Sequence, residues 1–312
     1  MKIQETITAK YLYPKGDPKM RLFALWYFGI LIALWNLLGH TILGFEQSWA
    51  TPLTAVAAAF ATQLFLAWVD AKSTGQTPRY SGGLLAFGTF FLTAMIPGLA
   101  VGMLLYPNES LAPIIFAAAL AVASKGIFRA PVGEGQHRGT QHIFNPSNFG
   151  ITFTLLFIPA VGLAPPYQFT ENVTGVWHWI IPGFVLATGI LVHAHATGRL
   201  PLCLAWIGGF LAQAFLRSWY FDIPWMVPLI PMTSAAFILF TLYMIPDPAT
   251  TPLDTRRQVA FGLAVAAVYA VLQVAHVVFG LFIALWLVCA LRGVGLYLMR
   301  YRAGPQRAAA AA

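Results

Sequence analysis

Ten apolar runs, most about as long as a bilayer core is thick, leave this chain few options for folding. They fall at about 21–43, 50–69, 84–105, 111–128, 147–163, 177–195, 201–216, 225–245, 259–274 and 278–298. About twenty apolar residues cross a bilayer as a helix, because in lipid every backbone polar group must find its partner inside the segment. Charged residues make up only 9% of the chain, against roughly a quarter in a soluble one. The expected fold is an all-α integral membrane protein of about ten transmembrane helices. Residues 1–20 are read as a cytoplasmic N-terminal segment, 21–302 as the membrane domain and 303–312 as a disordered tail. The polar, charged stretch from Met1 to Met20 lacks the short apolar core of a signal peptide.

Charge placement orients these spans. With ten crossings both termini share one side, and taking that side as cytoplasmic puts every lysine and arginine inside except Arg217. Cytoplasmic loops concentrate Lys and Arg in this way. The basic pI of 9.7 is therefore read as an orientation signal and lipid-headgroup contact, with no nucleic acid as partner. A multi-pass place in the cell inner (plasma) membrane follows. No residue-level repeat is visible, although ten spans divide formally into two inverted five-helix halves, as in many transporters.

Several chemistries have no residues to carry them. Cys203 and Cys289 both lie in spans without CxxC or CxxCH spacing, so no Fe–S cluster, c-type haem or structural metal is expected. His40, His178 and His276 lie near outer span ends. They are read either as ligands of a b-type haem or as interfacial rings beside Trp35, Trp49, Trp177 and Trp179. His193 and His195, two residues apart on a helix, face away from one another. Asp70, Asp247 and Asp254 lie at inner helix ends, and no carboxylate is expected mid-bilayer, where an ion pump needs one.

Two polar signatures interrupt this apolar background: FNPSNFG from Phe144 to Gly150, and IPDPATTPLDTRRQVAFG from Ile245 to Gly262. Asn145 before Pro146 is kept out of the helical region, so a helix starts at Pro146, whose missing N–H costs nothing there. The N–H groups that follow, at the positive end of a helix dipole, can take an anionic or carbonyl oxygen. Arg129, His137 and Arg138 add charge suited to a phosphate or an isoalloxazine carbonyl; a plain capping turn with lipid-facing basic residues is the other reading. In the second signature, Pro246, Asp247 and Pro248 stop a span and leave its last carbonyls free. Thr250, Thr251 and Thr255 supply hydroxyls, and Arg256 and Arg257 supply donors. Both signatures map to the cytoplasmic edge and are expected to form one site.

The pair of patterns resembles the NqrB/RnfD family of respiratory membrane proteins. Its members belong to the sodium-translocating NADH:quinone reductase and to the Rnf electron transport complex (a ferredoxin:NAD oxidoreductase). Phe144, Asn145, Pro146 and Gly150 match the first family pattern, and Asp247, Pro248, Thr250, Arg256, Phe261 and Gly262 the second. Ser234 stands at a small-residue position of the preceding span. The resemblance implies a ten-helix flavoprotein that carries FMN or riboflavin and works among other membrane subunits, coupling electron transport to ion transport. It would be part of an oxidoreductase or translocase rather than a complete enzyme. Cofactor-binding residues implied are Asn145, Pro146, Gly150, Asp247, Pro248, Thr250, Arg256 and Arg138, with no catalytic residue assigned. Family members hold FMN covalently on a Thr in a Ser-Gly-Ala-Thr-like motif. Here the matching segment, Ala164 to Val176, is shortened and offers only Thr170 and Thr174, neither preceded by Gly-Ala. That departure is similar to shortened relatives associated with enediyne gene clusters. A stand-alone transporter of a small metabolite or vitamin, and a non-catalytic assembly component, are the alternatives on the same scaffold.

Overall fold

The computed structural model describes residues 18–132, 139–164 and 173–309. Long apolar helices account for most of it. In chain order they are α1 (Pro18–Leu38), α2 (Ala50–Thr74), α3 (Leu84–Leu104), α4 (Ala112–Ile127), α5 (Pro146–Phe157), α6 (Trp177–Val192), α7 (Leu200–Phe221), α8 (Ala235–Leu239), α9 (Thr255–Val274) and α10 (Gly280–Ala309). Among the described residues seven helices are long and apolar enough to cross a membrane. An eighth counts if the bent pair Val227–Thr233 and Phe237–Met244 is one span. Large apolar side chains such as Leu53, Phe65, Leu204 and Leu263 are exposed on the outer surface, as lipid contact requires.

Two of the ten expected spans are shorter than hydropathy suggests. The run at 111–128 is a helix of 16 residues. The run at 147–163 is helical for only 12 residues, to Phe157. At about 1.5 Å per residue the second covers roughly 18 Å of a ~30 Å core. Pro159 explains the stop: it forces Ile158 out of the helical region, to φ −123° and ψ 88°. The chain then continues extended, and β4 (Gly162–Leu163) pairs with β1 (Leu105–Tyr106) at the end of α3. At the other end, α10 runs on to Ala309, past the boundary at 302 and through Gly304 and Pro305.

The helices pair in a pattern that recurs along the chain. In the first half α1 packs on α3, α2 on α3 and α4, and α4 on α5; in the second α7 packs on α9 and α9 on α10. α1 and α6 both end in a single π-helical turn, Gly39–Leu43 and His193–Thr197, and each stops at a left-handed glycine, Gly44 or Gly198. The loop after each then reaches the backbone just past a later helix. Gln47 Nε2 donates to Leu105 O at 2.7 Å, and Arg199 Nη2 donates to Pro248 O at 3.2 Å.

Both signature glycines sit at helix crossings. A Cβ on Gly150 would overlap the carbonyl oxygen of Ala117, and one on Gly262 would lie 2.6 Å from Leu202 O. Only hydrogen fits in either place, so α5 lies directly on the backbone of α4, and α9 on that of α7.

Candidate functional site

Asn145 is where the first signature becomes structure. Its backbone is extended, φ −60° and ψ 125°, and it caps α5. Oδ1 accepts from the Asn148 N–H at 3.0 Å and from Ser147 Oγ at 2.8 Å, so the helix N-terminus is closed by its own cap. The remaining donor, Nδ2, reaches across 99 residues to Met244 O at 3.2 Å. Met244 ends the π-helical turn Phe240–Met244, just before the second signature.

Asp247 makes the second join. The antiparallel hairpin β2–β3 (Arg129–Val132 and Gly139–His142) leads into Asn145 and brings His142 Nε2 to 3.6 Å from Asp247 Oδ2. Asp247 Oδ1 accepts from the Ala249 N–H at 3.0 Å, and its backbone oxygen accepts from Thr251 Oγ1 at 2.7 Å. Burial works to raise the Asp247 carboxyl. The His142 imidazole, the Ala249 N–H and the Thr250 hydroxyl outweigh it and hold the carboxyl below the ordinary carboxylate range.

Two arginines fasten the same loop from opposite sides. Arg199, 1% exposed at the start of α7, donates from Nε to Thr251 Oγ1 at 2.8 Å and from Nη1 to Thr197 O at 3.1 Å. Arg292 on α10 donates from Nη1 to Thr250 O at 2.8 Å. The Gln141 amide oxygen, oriented as its neighbours require, accepts from both Arg292 Nη atoms at 2.8 and 3.1 Å. The segment from Asp247 to Thr251 is thus held by the start of α7, by α10 and by the hairpin, and Asn145 holds Met244 just before it.

The expected site residues divide accordingly. Asn145, Asp247, Pro248 and Thr250 come together. Pro146 starts α5 and Gly150 lies one turn deeper, at the α4 crossing. Arg256, in the first turn of α9, is exposed. Thr174 is exposed just before α6, while the far end of that helix reaches the cluster, where His193 Nε2 bonds Leu242 O. About 24 Å of helix separates the two. Arg138, His137 and Thr170 lie outside the described residues.

The sequence singled out Arg129 as a charge for a ligand, but gave neither it nor Lys125 a structural partner. Arg129 donates to Thr140 and, through Nη1, to Lys125 O at 2.9 Å, closing the C-terminus of α4. Lys125 Nζ donates to Gln63 Oε1 at 2.9 Å and to Thr93 O at 2.7 Å. The second contact has a readable cause. Pro97, inside α3, has no N–H for the carbonyl four residues earlier, and that carbonyl belongs to Thr93. Lysine supplies the missing donor. Among the described residues no group of three or more His, Cys, Asp or Glu could hold a metal ion.

The chain matches no protein-family model, and no curated protein matches it either.

Proposed function

We propose that the chain is a polytopic membrane protein on the NqrB/RnfD plan, working inside a multisubunit electron-transport assembly that moves cations. The observation that supports this reading is that each signature bonds a residue flanking the other: Asn145 to Met244, just before the second, and His142, just before the first, to Asp247. Segments 99 residues apart along the chain are thereby held side by side. In this reading the chain makes ten crossings with both termini cytoplasmic, α4 and α5 counting as crossings despite their length. The two five-helix halves are inverted repeats, supported by the matching π-helical turns and the matching Gln47 and Arg199 contacts.

The flavin of such a protein fits these residues in part. Gly150 offers no cradle for a ring, because its α-carbon lies against Ala117 O, and Asn145 and Asp247 already bond to their neighbours. Lys125, Arg129 and Arg292 bring the positive charge that a phosphate or a ring carbonyl takes, although their N–H groups too already bond to Gln63, Thr93, Thr140, Thr250 and Gln141. FMN or riboflavin would be held there without a covalent bond, since Thr174 stands at the opposite end of α6. The purified complex should show a flavin absorbance band whose chromophore stays in the supernatant after acid precipitation. Colourless protein overturns the flavin reading, and colour in the pellet overturns the non-covalent one.

One observation favours a second reading, a stand-alone transporter. Two segments are discontinuous, α5 at Pro159 and the pair Val227–Thr233 and Phe237–Met244, and discontinuous helices are where many transporters bind substrate. Purification without other membrane subunits, with uptake of a small metabolite or vitamin into proteoliposomes, would replace the first reading by this one.

A further inference from the structure

Lys125, at the end of α4, sends its side chain away from both signatures and into the junction with α2 and α3. Its ammonium donates to Gln63 Oε1 at 2.9 Å and to Thr93 O at 2.7 Å. Each oxygen is aimed at it for an identifiable reason. Thr93 O is the carbonyl that Pro97 leaves without a helical partner. Gln63 Nε2 donates to Phe90 O, which only accepts, so the oxygen of that amide is the end that faces Nζ. Thr93 Oγ1 accepts from the same Nε2 at 2.9 Å and donates to Phe90 O at 2.8 Å, bracing the arrangement.

α2 and α3 are both long and apolar enough to cross a membrane, and Gln63 and Thr93 lie roughly 15 Å of helix inside their nearer ends. A charge at that depth is costly, and among the described residues no Asp or Glu oxygen lies within 4.0 Å of Nζ to offset it. A neutral donor would satisfy the same two oxygens without that cost, so the junction uses the positive charge itself. The Asp247 carboxylate adds attraction from further off. Backbone carbonyls freed at a helix break are what coordinate sodium ions or protons in many membrane proteins. We infer that the junction of α2, α3 and α4 is a monovalent-cation site, filled in this chain by its own Lys125 ammonium. Lys125 is half-buried and leaves α4 beside exposed Gly126 and Ile127, so truncating its stem opens a route for an ion from outside. The inference stands apart from the flavin reading and needs only that α2 and α3 cross the membrane.

The test compares the unaltered protein with Lys125→Ala in neutral detergent, replacing choline chloride by sodium or potassium chloride at constant concentration. The variant should gain roughly 5 °C in its unfolding midpoint from at least one alkali cation, beyond whatever the unaltered protein gains, as a site near saturation provides. Adding Gln63→Leu to the variant should remove that gain, because one of the two oxygens is then gone. Should Lys125→Ala not fold in choline, folded protein is expected to return in sodium or potassium. An equal response of variant and unaltered protein, a gain that survives Gln63→Leu, or failure to fold in all three salts overturns the proposal.

Discussion

The loop from Asp247 to Thr251 and the end of α1, from Asn36 to His40, are both polar places in an apolar protein, and they treat their polar atoms in opposite ways. Around Asp247, the Asn145 amide, the Arg199 and Arg292 guanidinium groups and the threonine hydroxyls bond to one another or to nearby backbone. At the end of α1, Asn36 Oδ1 and His40 Nε2 are buried without donors. A saturated cluster fixes the distance between helices, whereas unsaturated acceptors have capacity left for something else. The motifs that attract the eye in the sequence therefore act first as joints. The less conspicuous Asn36 keeps free bonding capacity.

Four tests, using five substitutions, probe that contrast in descending order of expected effect. Gly150→Val should be the most damaging, costing about 3 kcal/mol or more, because the new side chain must displace the α4 backbone at Ala117. Thermal unfolding in detergent measures it, and an unchanged midpoint would mean the α4–α5 crossing is loose.

Asp247→Ala should cost about 2 kcal/mol, since it strips His142 and the Ala249 N–H of their partner. Its pH dependence has a definite sign. The folded carboxyl lies below its ordinary value, so its contribution is complete above about pH 4 and is lost as pH falls through the folded value. The unaltered protein should lose stability below that pH more steeply than the variant. Parallel curves would remove Asp247 from the joint.

The third test pairs the two regions directly. Asn145→Leu removes a helix cap and the bond to Met244, for about 1–2 kcal/mol. Asn36→Leu removes an amide whose oxygen is unbonded and should stay within about 0.5 kcal/mol of the parent. Equal losses in calorimetry would erase the distinction between the regions. Least of all, Arg256→Ala should change stability by less than about 0.5 kcal/mol, because its side chain is exposed. A loss comparable to that of Asp247→Ala would put its guanidinium into the joint.

Much of the architecture was legible because bilayer length and apolar composition impose it. Seven of the ten expected spans are long apolar helices, and Asn145 before Pro146 announced its cap. The shortness of α5 was also written in Pro159, but hydropathy averages over a single proline. The hairpin Arg129 to His142 went unread, being a short polar stretch without the alternation of an amphipathic strand. Arg199 and Lys125 read as loop charges fixing orientation. Their partners, Thr251 and Thr93, lie 52 and 32 residues away along the chain, and local pattern cannot report such separations.

The sequence by itself determined that this chain is a helical membrane protein, where most of its helices run, and that two polar signatures break them. Those are local properties, set by residue hydrophobicity and by what proline does to its own backbone. Only the tertiary structure decided what the signatures do: the same carboxylate, amide and threonines would serve a ligand if they stood apart. Packed within hydrogen-bond distance, with Gly150 and Gly262 letting helix backbones touch, they satisfy one another. Whether a buried polar atom is bonded depends on a neighbour that the local sequence does not name.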